Sequence, residues 1–403
     1  MSKLDDKFAK IGIENAPGQE KRQRTGKLDI RGERLLGTPV DFSHGDVNAH
    51  EPTPGSFDAF QKGFEKGGSQ AYTEYRGARS IREDVATKIA YFTGASVDSD
   101  SEIIITPGTQ CALFLAMGAL VGEGDKVAIV EPDYFANRKL VEFFGGQLAP
   151  IQMDFLGTDK RSGIDLVCLE EAFKSGTRLF LFSNPNNPTG VIYSEDEIRK
   201  IASLAKKYDV ALIVDELYSR QIFDNRPYFH LRAEKEKPDT LITILGPSKT
   251  ESLSGFRLGV AFGSPAIIDR MERLLAIVSL RASGYNQSVL ATWFSEPKGW
   301  IDHRIAAHQA IRDEILEKLR KVEGIKVRTT EGGSYLFAEL PPMEVPLKDF
   351  VKIVRHLADV IITPGTEFGP QFENSFRINF SQNHEAAISG IERLLTIFER
   401  YRK

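Results

Sequence analysis

The sequence predicts an α/β fold in which a seven-stranded, mostly parallel sheet forms a large domain and a smaller α+β domain follows it. Three observations lead there. From about residue 100, short β-rich apolar runs alternate with helical stretches, the pattern of strand–helix–strand units. Several of those runs are apolar on consecutive residues, which suits strands covered on both faces. After about residue 300 the pattern changes to one long amphipathic helix and a few short strands.

In chain order, residues 1 to about 35 are charged and turn-rich, with one short amphipathic stretch at Leu4 to Ile11, and read as an arm. The seven strands expected are EIIIT at 102–106, KVAIVEP at 126–132, QLAPI at 147–151, RLFLFSNP at 178–185, VALIVDE at 210–216, LITILG at 241–246 and RLGVAFG at 257–263. The run Ala112 to Val121 is about half of the roughly 20 residues needed to cross a bilayer, so it reads as a buried helix. Beyond the sheet come a helix over Trp300 to Lys321, the strands KVRTT and SYLFAEL, a helix near Leu347 to Ala358 and a last strand at SFRINF. The expected division is an arm with part of the small domain at 1–50, the large domain at 51–295 and the small domain at 296–403.

Composition removes several function classes. A length of 403 residues with 41% hydrophobic and 27% charged side chains is ordinary for a globular chain of two or three domains. The net charge of −4 supplies no positive field for nucleic acid or an anionic membrane. Cys111 and Cys168 each lie in an apolar stretch and cannot build a disulfide framework or a CxxC site, so a reducing, cytoplasmic setting is expected. The first residues lack the apolar core of a secretory signal. Neither GxGxxG nor GxxxxGK[ST] occurs, and the seven histidines include no HExxH, so no metal site is expected.

Five signals remain, each at a strand end or a helix start. In TPGTQ, Gly108, Thr109 and Gln110 open a helix whose first N–H groups favour an anion, although most such turns bind nothing. In SNPNNPTG at 183–190, prolines fix the backbone so that asparagine amides acquire a direction, or else the segment is an elaborate Asx turn. In VDELY, Asp215 either caps the next helix or neutralises a bound positive group. Lys249 follows the strand LITIL, where a buried amine would have its pKa lowered and become a nucleophile toward a carbonyl; the alternative is a lysine snorkelling from a loop. Arg377 in FRINF is either an edge-strand charge facing water or a planar fork that grips a carboxylate.

NNPTG, then DELY, then SKT with an arginine eight residues after the lysine, then FRINF, taken in that order, resemble the class I/II aminotransferases, which are fold-type I pyridoxal-phosphate enzymes. The resemblance spans roughly residues 35 to 400 and implies pyridoxal 5′-phosphate as cofactor. Lys249 resembles the family lysine that holds the cofactor as a Schiff base and later shuttles a proton. Asp215 resembles the aspartate that pairs with the pyridinium nitrogen. Asn187 and Tyr218 resemble the pair that bonds the ring's 3-oxygen, and Tyr134 the aromatic stacked on the ring. Gly108, Thr109, Gln110 and Arg257 resemble the phosphate cup, with Tyr72 reaching it from a partner subunit, so a homodimer with shared active sites is implied. Arg377 matches the arginine that takes the substrate α-carboxylate, with Asn187 beside it, and Gly45 matches the glycine whose backbone approaches the same group. Where the family usually has a serine three residues before the lysine this chain has Gly246, with Ser248 as the available substitute.

Anchoring the α-carboxylate at Arg377 presents the substrate C–H bond to Lys249, which favours proton transfer and disfavours decarboxylation. The expected reaction is ping-pong transamination from an L-α-amino acid to a 2-oxo acid, both small molecules, with glutamate and 2-oxoglutarate as the donor pair on family grounds. A C–S β-lyase or an amino-acid oxidase on the same fold is the alternative, and a non-catalytic cofactor-sensing module a third. Arg281 either reads a distal carboxylate across the subunit boundary or is a solvent-exposed arginine after a helix.

Overall fold

A computed structural model describes residues 3–12, 28–45, 48–66, 72–157 and 163–403. The expected amphipathic stretch is the helix Lys3–Ile11, which packs on the helix Phe135–Phe143 of the same chain. Lys7 Nζ lies 4.2 Å above the Phe143 ring, and Lys139 Nζ donates to Gly12 O at 2.8 Å. The arm between residues 13 and 27 lies outside the described residues.

Thirteen strands are described: β1 (Val40–Asp41), β2 (Ile103–Thr106), β3 (Lys126–Glu131), β4 (Gln147–Gln152), β5 (Leu179–Ser183), β6 (Ala211–Asp215), β7 (Leu241–Leu245), β8 (Gly259–Gly263), β9 (Lys326–Val327), β10 (Tyr335–Glu339), β11 (Val360–Ile361), β12 (Thr363–Pro364) and β13 (Ser375–Asn379). The seven strands expected from sequence form one sheet in the order β2-β8-β7-β6-β5-β3-β4, and β8 alone among them runs against its neighbours. Consecutive apolar residues feed two cores. Phe180 and Phe182 of β5 face the helices Leu166–Lys174 and Glu195–Lys207, while Leu179 and Leu181 face Thr109–Leu120 and Pro265–Val278. The edge strand β4 is the exception, with exposed and buried positions interleaved.

The chain steps outward from β3 to β4, then crosses back to β5, β6 and β7. That reversal leaves a crevice beyond the carboxyl ends of β3 and β5, the place where open α/β sheets bind ligands. Helix Glu195–Lys207 starts directly after the Asn- and Pro-rich segment because Ser194 and Glu197 close a reciprocal capping box.

A second sheet, β12-β13-β10-β9, is antiparallel throughout. It shares a core with the helices Trp300–Arg320, Leu347–Ala358 and His384–Glu399, and that core also takes Val40 and Phe42 from near the amino end. β1 pairs in parallel with β11, so residues near 40 are hydrogen-bonded to the C-terminal unit. Among the described residues no helix is long and apolar enough to cross a membrane.

Candidate active site

The strand ends of the large sheet open into a cavity of ≈ 270 Å³ that residues from the second sheet close from above. After β2 the chain turns at Gly108, whose φ of 87° is left-handed and whose missing Cβ leaves room for the Arg257 guanidinium packed against it. Thr109 and Gln110 follow as the first turn of helix Thr109–Leu120 and line the cavity. Arg257 lies outside β8, at φ 52°, and its Nη1 donates to Ser254 O at 3.1 Å. The strand expected at 257–263 thus starts two residues later, because this left-handed turn aims Arg257 at the helix start.

Gly246 explains the departure from the family pattern. A Cβ there would lie 2.7 Å from Thr109 Cγ2 and 3.2 Å from Leu258 O, so the space a serine would need is already filled by the Thr109 side chain. Ser248 lines the cavity, with its hydroxyl 3.5 Å from Leu258 O. Lys249 also lines the cavity, but from a turn beyond β7 where it is exposed. The burial expected of an amine at a strand end therefore does not occur, because the three residues Gly246, Pro247 and Ser248 separate Lys249 from the end of β7.

Both readings of the segment after β5 hold, on adjacent residues. Asn186 makes the turn: its Oδ1 accepts from Thr189 Oγ1 at 2.6 Å and its carbonyl from Gly190 N at 2.7 Å. Asn187 is held by a bond from its N–H to Ser183 Oγ at 3.1 Å, which leaves its amide oxygen to accept from Arg377 Nη1 at 3.0 Å. Ser183 is in turn fixed by Asp133, which accepts from the Ser183 hydroxyl and, at 2.7 Å, from Tyr134 N–H. Burial pushes the Asp133 carboxyl up to about 7. Tyr134 reaches across the cavity to donate to Gln110 Oε1 at 3.0 Å.

Asp215, at the end of β6, caps the next turn through Leu217 N–H at 3.0 Å. It keeps some exposure to the cavity, yet burial pushes its carboxyl up to about 6 against the pull of that N–H and of the Lys249 ammonium. Tyr218 lines the same cavity, its hydroxyl 2.7 Å from that of Tyr335 on β10.

Arg377 is on β13, an interior strand of its sheet, and is 3% exposed, which excludes an edge charge facing water. Its guanidinium lies 4.4 Å above the Tyr335 ring, and its Nη2 donates to Ser43 O at 2.7 Å. Its Nε is buried without a partner. Gly45 is not among the residues lining the cavity with Lys249; it packs on Ser381, and the same loop presents Ser43 and His44 instead. Tyr72 and Arg281 do not line it either: the Arg281 guanidinium stacks 4.7 Å above the Tyr72 ring and 4.8 Å above Tyr75, on the surface.

Tyr335, Asp133, Ser183 and Ser43 escaped the sequence reading. A signal existed for Tyr335 in the glycine pair Gly332–Gly333 before a strand, since Gly333 takes a left-handed φ of 78° and a Cβ there would lie 3.4 Å from Tyr218 Cγ. None marked Asp133, a single acid in an ordinary turn.

A doubly covered sheet with a lysine, an aspartate and two arginines gathered at its switch point defines the fold-type I class. The aminotransferase class I and II family model matches residues 39–394, and the chain belongs to that family. A solved structure of an aspartate aminotransferase from Rhodobacter sphaeroides 2.4.1 is 57% identical, covers 99% of this chain and 100% of its own, and superposes with a TM-score of 0.94. The aspartate aminotransferase of Sulfurisphaera tokodaii is 28% identical over 355 residues, 85% of this chain and 87% of that protein. An aromatic aminotransferase structure from Pyrococcus horikoshii OT3, 21% identical with a TM-score of 0.82 over 90% of this chain and 96% of that one, shares the fold.

Proposed function

We propose that this chain is a cytoplasmic, homodimeric, pyridoxal-phosphate-dependent aminotransferase for dicarboxylic amino acids, with aspartate or glutamate as donor and a 2-oxo dicarboxylate as acceptor. The convergence of Lys249, Asp215, Asn187, Arg257 and Arg377 on one cavity from five separate segments carries the reading. The family uses pyridoxal phosphate, and the donor set fits that group in three respects. Asp215 is a carboxylate whose burial outweighs both its hydrogen bond from Leu217 N–H and the Lys249 ammonium, which suits a further positive partner such as a protonated ring nitrogen. Arg257, Gly108 and the first turn at Thr109 and Gln110 make an anion cup of the size and charge a phosphate needs. Tyr134, held by its hydroxyl on Gln110 Oε1 at 3.0 Å, gives the cavity an aromatic wall for a planar ring.

When bound, the cofactor supplies an aldehyde that captures amines and a ring that withdraws electrons from the substrate Cα bonds. The residues do the rest. Lys249 would hold the cofactor covalently, and its freed amine would move the proton at the substrate Cα. Asp215 would keep the ring nitrogen protonated, Tyr134 would cover the ring face, and Asn187 and Tyr218 would bond the 3-oxygen. Ser248 would assist the phosphate in place of the serine that Gly246 excludes. Arg377 would take the α-carboxylate through two N–H groups and hold it so that the C–H bond faces Lys249. Tyr72 and Arg281 would act across the dimer interface, on the phosphate and the distal carboxylate respectively, and the loop at Gly45 would close over the α-carboxylate. The division at residues 50 and 295 would let the small domain carry Arg377 and this loop onto substrate. The 57% identity to an aspartate aminotransferase supports the choice of acidic substrates.

The test is spectroscopic. Protein loaded with pyridoxal phosphate should absorb in the visible, and amino acids added singly should bleach that band, aspartate and glutamate most readily. Lys249→Ala should lose at least about 1000-fold in turnover. Release of ammonia without any 2-oxo acid present would instead indicate a lyase or an oxidase.

A further inference from the structure

Resting on the cofactor reading above, we infer that Tyr335 is a positioning residue that donates its hydroxyl proton to Tyr218, leaving the Tyr218 proton free to point at the cofactor's ring oxygen. The two hydroxyls are 2.7 Å apart and both residues are buried, so one must donate and the other accept. If Tyr218 were the donor, only its lone pairs would face the cavity and an anionic ring oxygen would meet no proton there.

The surroundings decide the direction. The Arg377 guanidinium lies over the Tyr335 ring at 4.4 Å, and Lys249 adds a second positive charge from the cavity side. Against burial, the largest influence, and against the Asp215 carboxylate, Lys249, then Arg377, and the hydrogen bond shared with Tyr218 hold the Tyr335 phenol below the ordinary tyrosine range. Tyr218 is pushed up by burial, and the Tyr335 hydroxyl adds to that, while Arg377 opposes it. Lys249, Arg377, Tyr218 and Asp215 act on Tyr335, and Tyr134 across the cavity feels it in turn. The phenol that holds its proton less tightly donates, so the bond runs from Tyr335 to Tyr218, and a hydroxyl that accepts one bond donates a stronger one. Arg377 thereby serves two ends: it offers its fork to a carboxylate and polarises the tyrosine pair through the face of one ring.

The geometry that fixes the pair belongs to this chain. Tyr335 stands on β10 directly opposite Asn379 of β13, two residues beyond Arg377, and Gly333 brings the strand start against Tyr218. A phenylalanine at 335 keeps the ring, the contact with Arg377 and the register, and removes the one proton in question.

The experiment is a double-mutant cycle on cofactor-loaded enzyme, read as the pH midpoint of the visible band rather than as turnover. Tyr218→Phe should raise the midpoint, because the ring oxygen loses a donor. Tyr335→Phe should raise it by a smaller amount, about 0.5 to 1 unit. Tyr218→Phe/Tyr335→Phe should match Tyr218→Phe alone, since Tyr335 acts only through Tyr218. An unmoved midpoint in Tyr335→Phe while Tyr218→Phe shifts, or shifts that add in the double variant, overturns the inference and leaves the cofactor reading standing. Absence of any visible band in the wild-type protein overturns the cofactor reading itself. Should Tyr335→Phe fail to fold, 3-fluorotyrosine incorporated at position 335 keeps the shape and sharpens the donor; read on the acid side of the fluorophenol's own ionisation, the midpoint should then fall, and a rise there would refute the assigned direction.

Discussion

At Gly246 a single hydrogen atom decides what the phosphate site can contain. The family's serine would add a hydroxyl donor, but the Thr109 methyl and the Leu258 carbonyl already occupy the space around that Cα. Restoring the serine should therefore harm this chain. Gly246→Ser must displace Thr109, a residue of the anion cup, at about 1–3 kcal/mol of overpacking. The expected result is weaker cofactor retention on dialysis and a lower melting temperature. Gly246→Ser paired with Thr109→Ser, which removes the obstructing methyl, should recover most of both. Single residues were legible in the sequence where their chemistry is out of place: a lysine after LITIL, an aspartate after VALIV, an arginine between aromatics. Tyr335 and Asp133 were not, because each has its effect through a neighbour distant in sequence, Tyr218 and Ser183, which only the folded register supplies.

Elements were legible in proportion to how much of the core they fill. The seven strands of the large sheet stood out because β2, β5, β7 and β8 are buried at every position and so are apolar at nearly all of them, with Thr106, Ser183 and Thr243 as the polar exceptions. The two-residue strands β1 and β11 left no such trace, since a pairing of two residues needs no pattern longer than itself. The helix Trp300–Arg320 was predicted as amphipathic, but its buried face carries a histidine that does more than pack. His308 Nδ1 faces the Arg304 carbonyl at 2.9 Å and must donate, so Nε2 is the acceptor for the Ser381 hydroxyl at 2.9 Å, and the ring is neutral. Its face stacks on His50 at 4.2 Å, which joins the helix to the loop before residue 51. Burial first, then His50, lowers its pKa from 6.5 to about 3. The folded state thus refuses a proton that the unfolded chain accepts. Stability from this site is fully present above pH 6.5 and declines as the pH falls toward 3, by about 2 kcal/mol between pH 7 and pH 5. His308→Asn removes that titration. The stability gap between wild type and variant, measured by denaturant unfolding across that range, should narrow by about this amount as the pH drops; a constant gap would mean that His308 titrates normally in the folded chain.

At the scale of the whole molecule, the surface that Tyr72 and Arg281 occupy is where a second copy of the chain would dock. Tyr72 is 75% exposed, and Ile277, Val278 and Leu280, just before Arg281, are exposed as well. Large apolar side chains exposed together are costly in water, and covering them with a second copy of the chain would relieve that cost. A guanidinium stacked between two tyrosines, away from the cavity of its own chain, has the right form to reach another's. With a twofold axis here, each active site would be built from Lys249 of one protomer and the Tyr72–Arg281 pair of the other. Complementation tests this without a structure of the dimer. Lys249→Ala alone is expected to be inactive, and Tyr72→Ala/Arg281→Ala to retain under about a tenth of wild-type activity on aspartate. When the two are co-expressed in equal amounts, half the dimers are hybrids. In each hybrid one site joins an intact Lys249 to an intact Tyr72–Arg281 pair, while the other site lacks both. Activity should therefore rise to about a quarter of wild type, above either parent. If Tyr72 and Arg281 served their own chain's site, no hybrid would contain a complete site, and the mixture could not exceed the average of its parents.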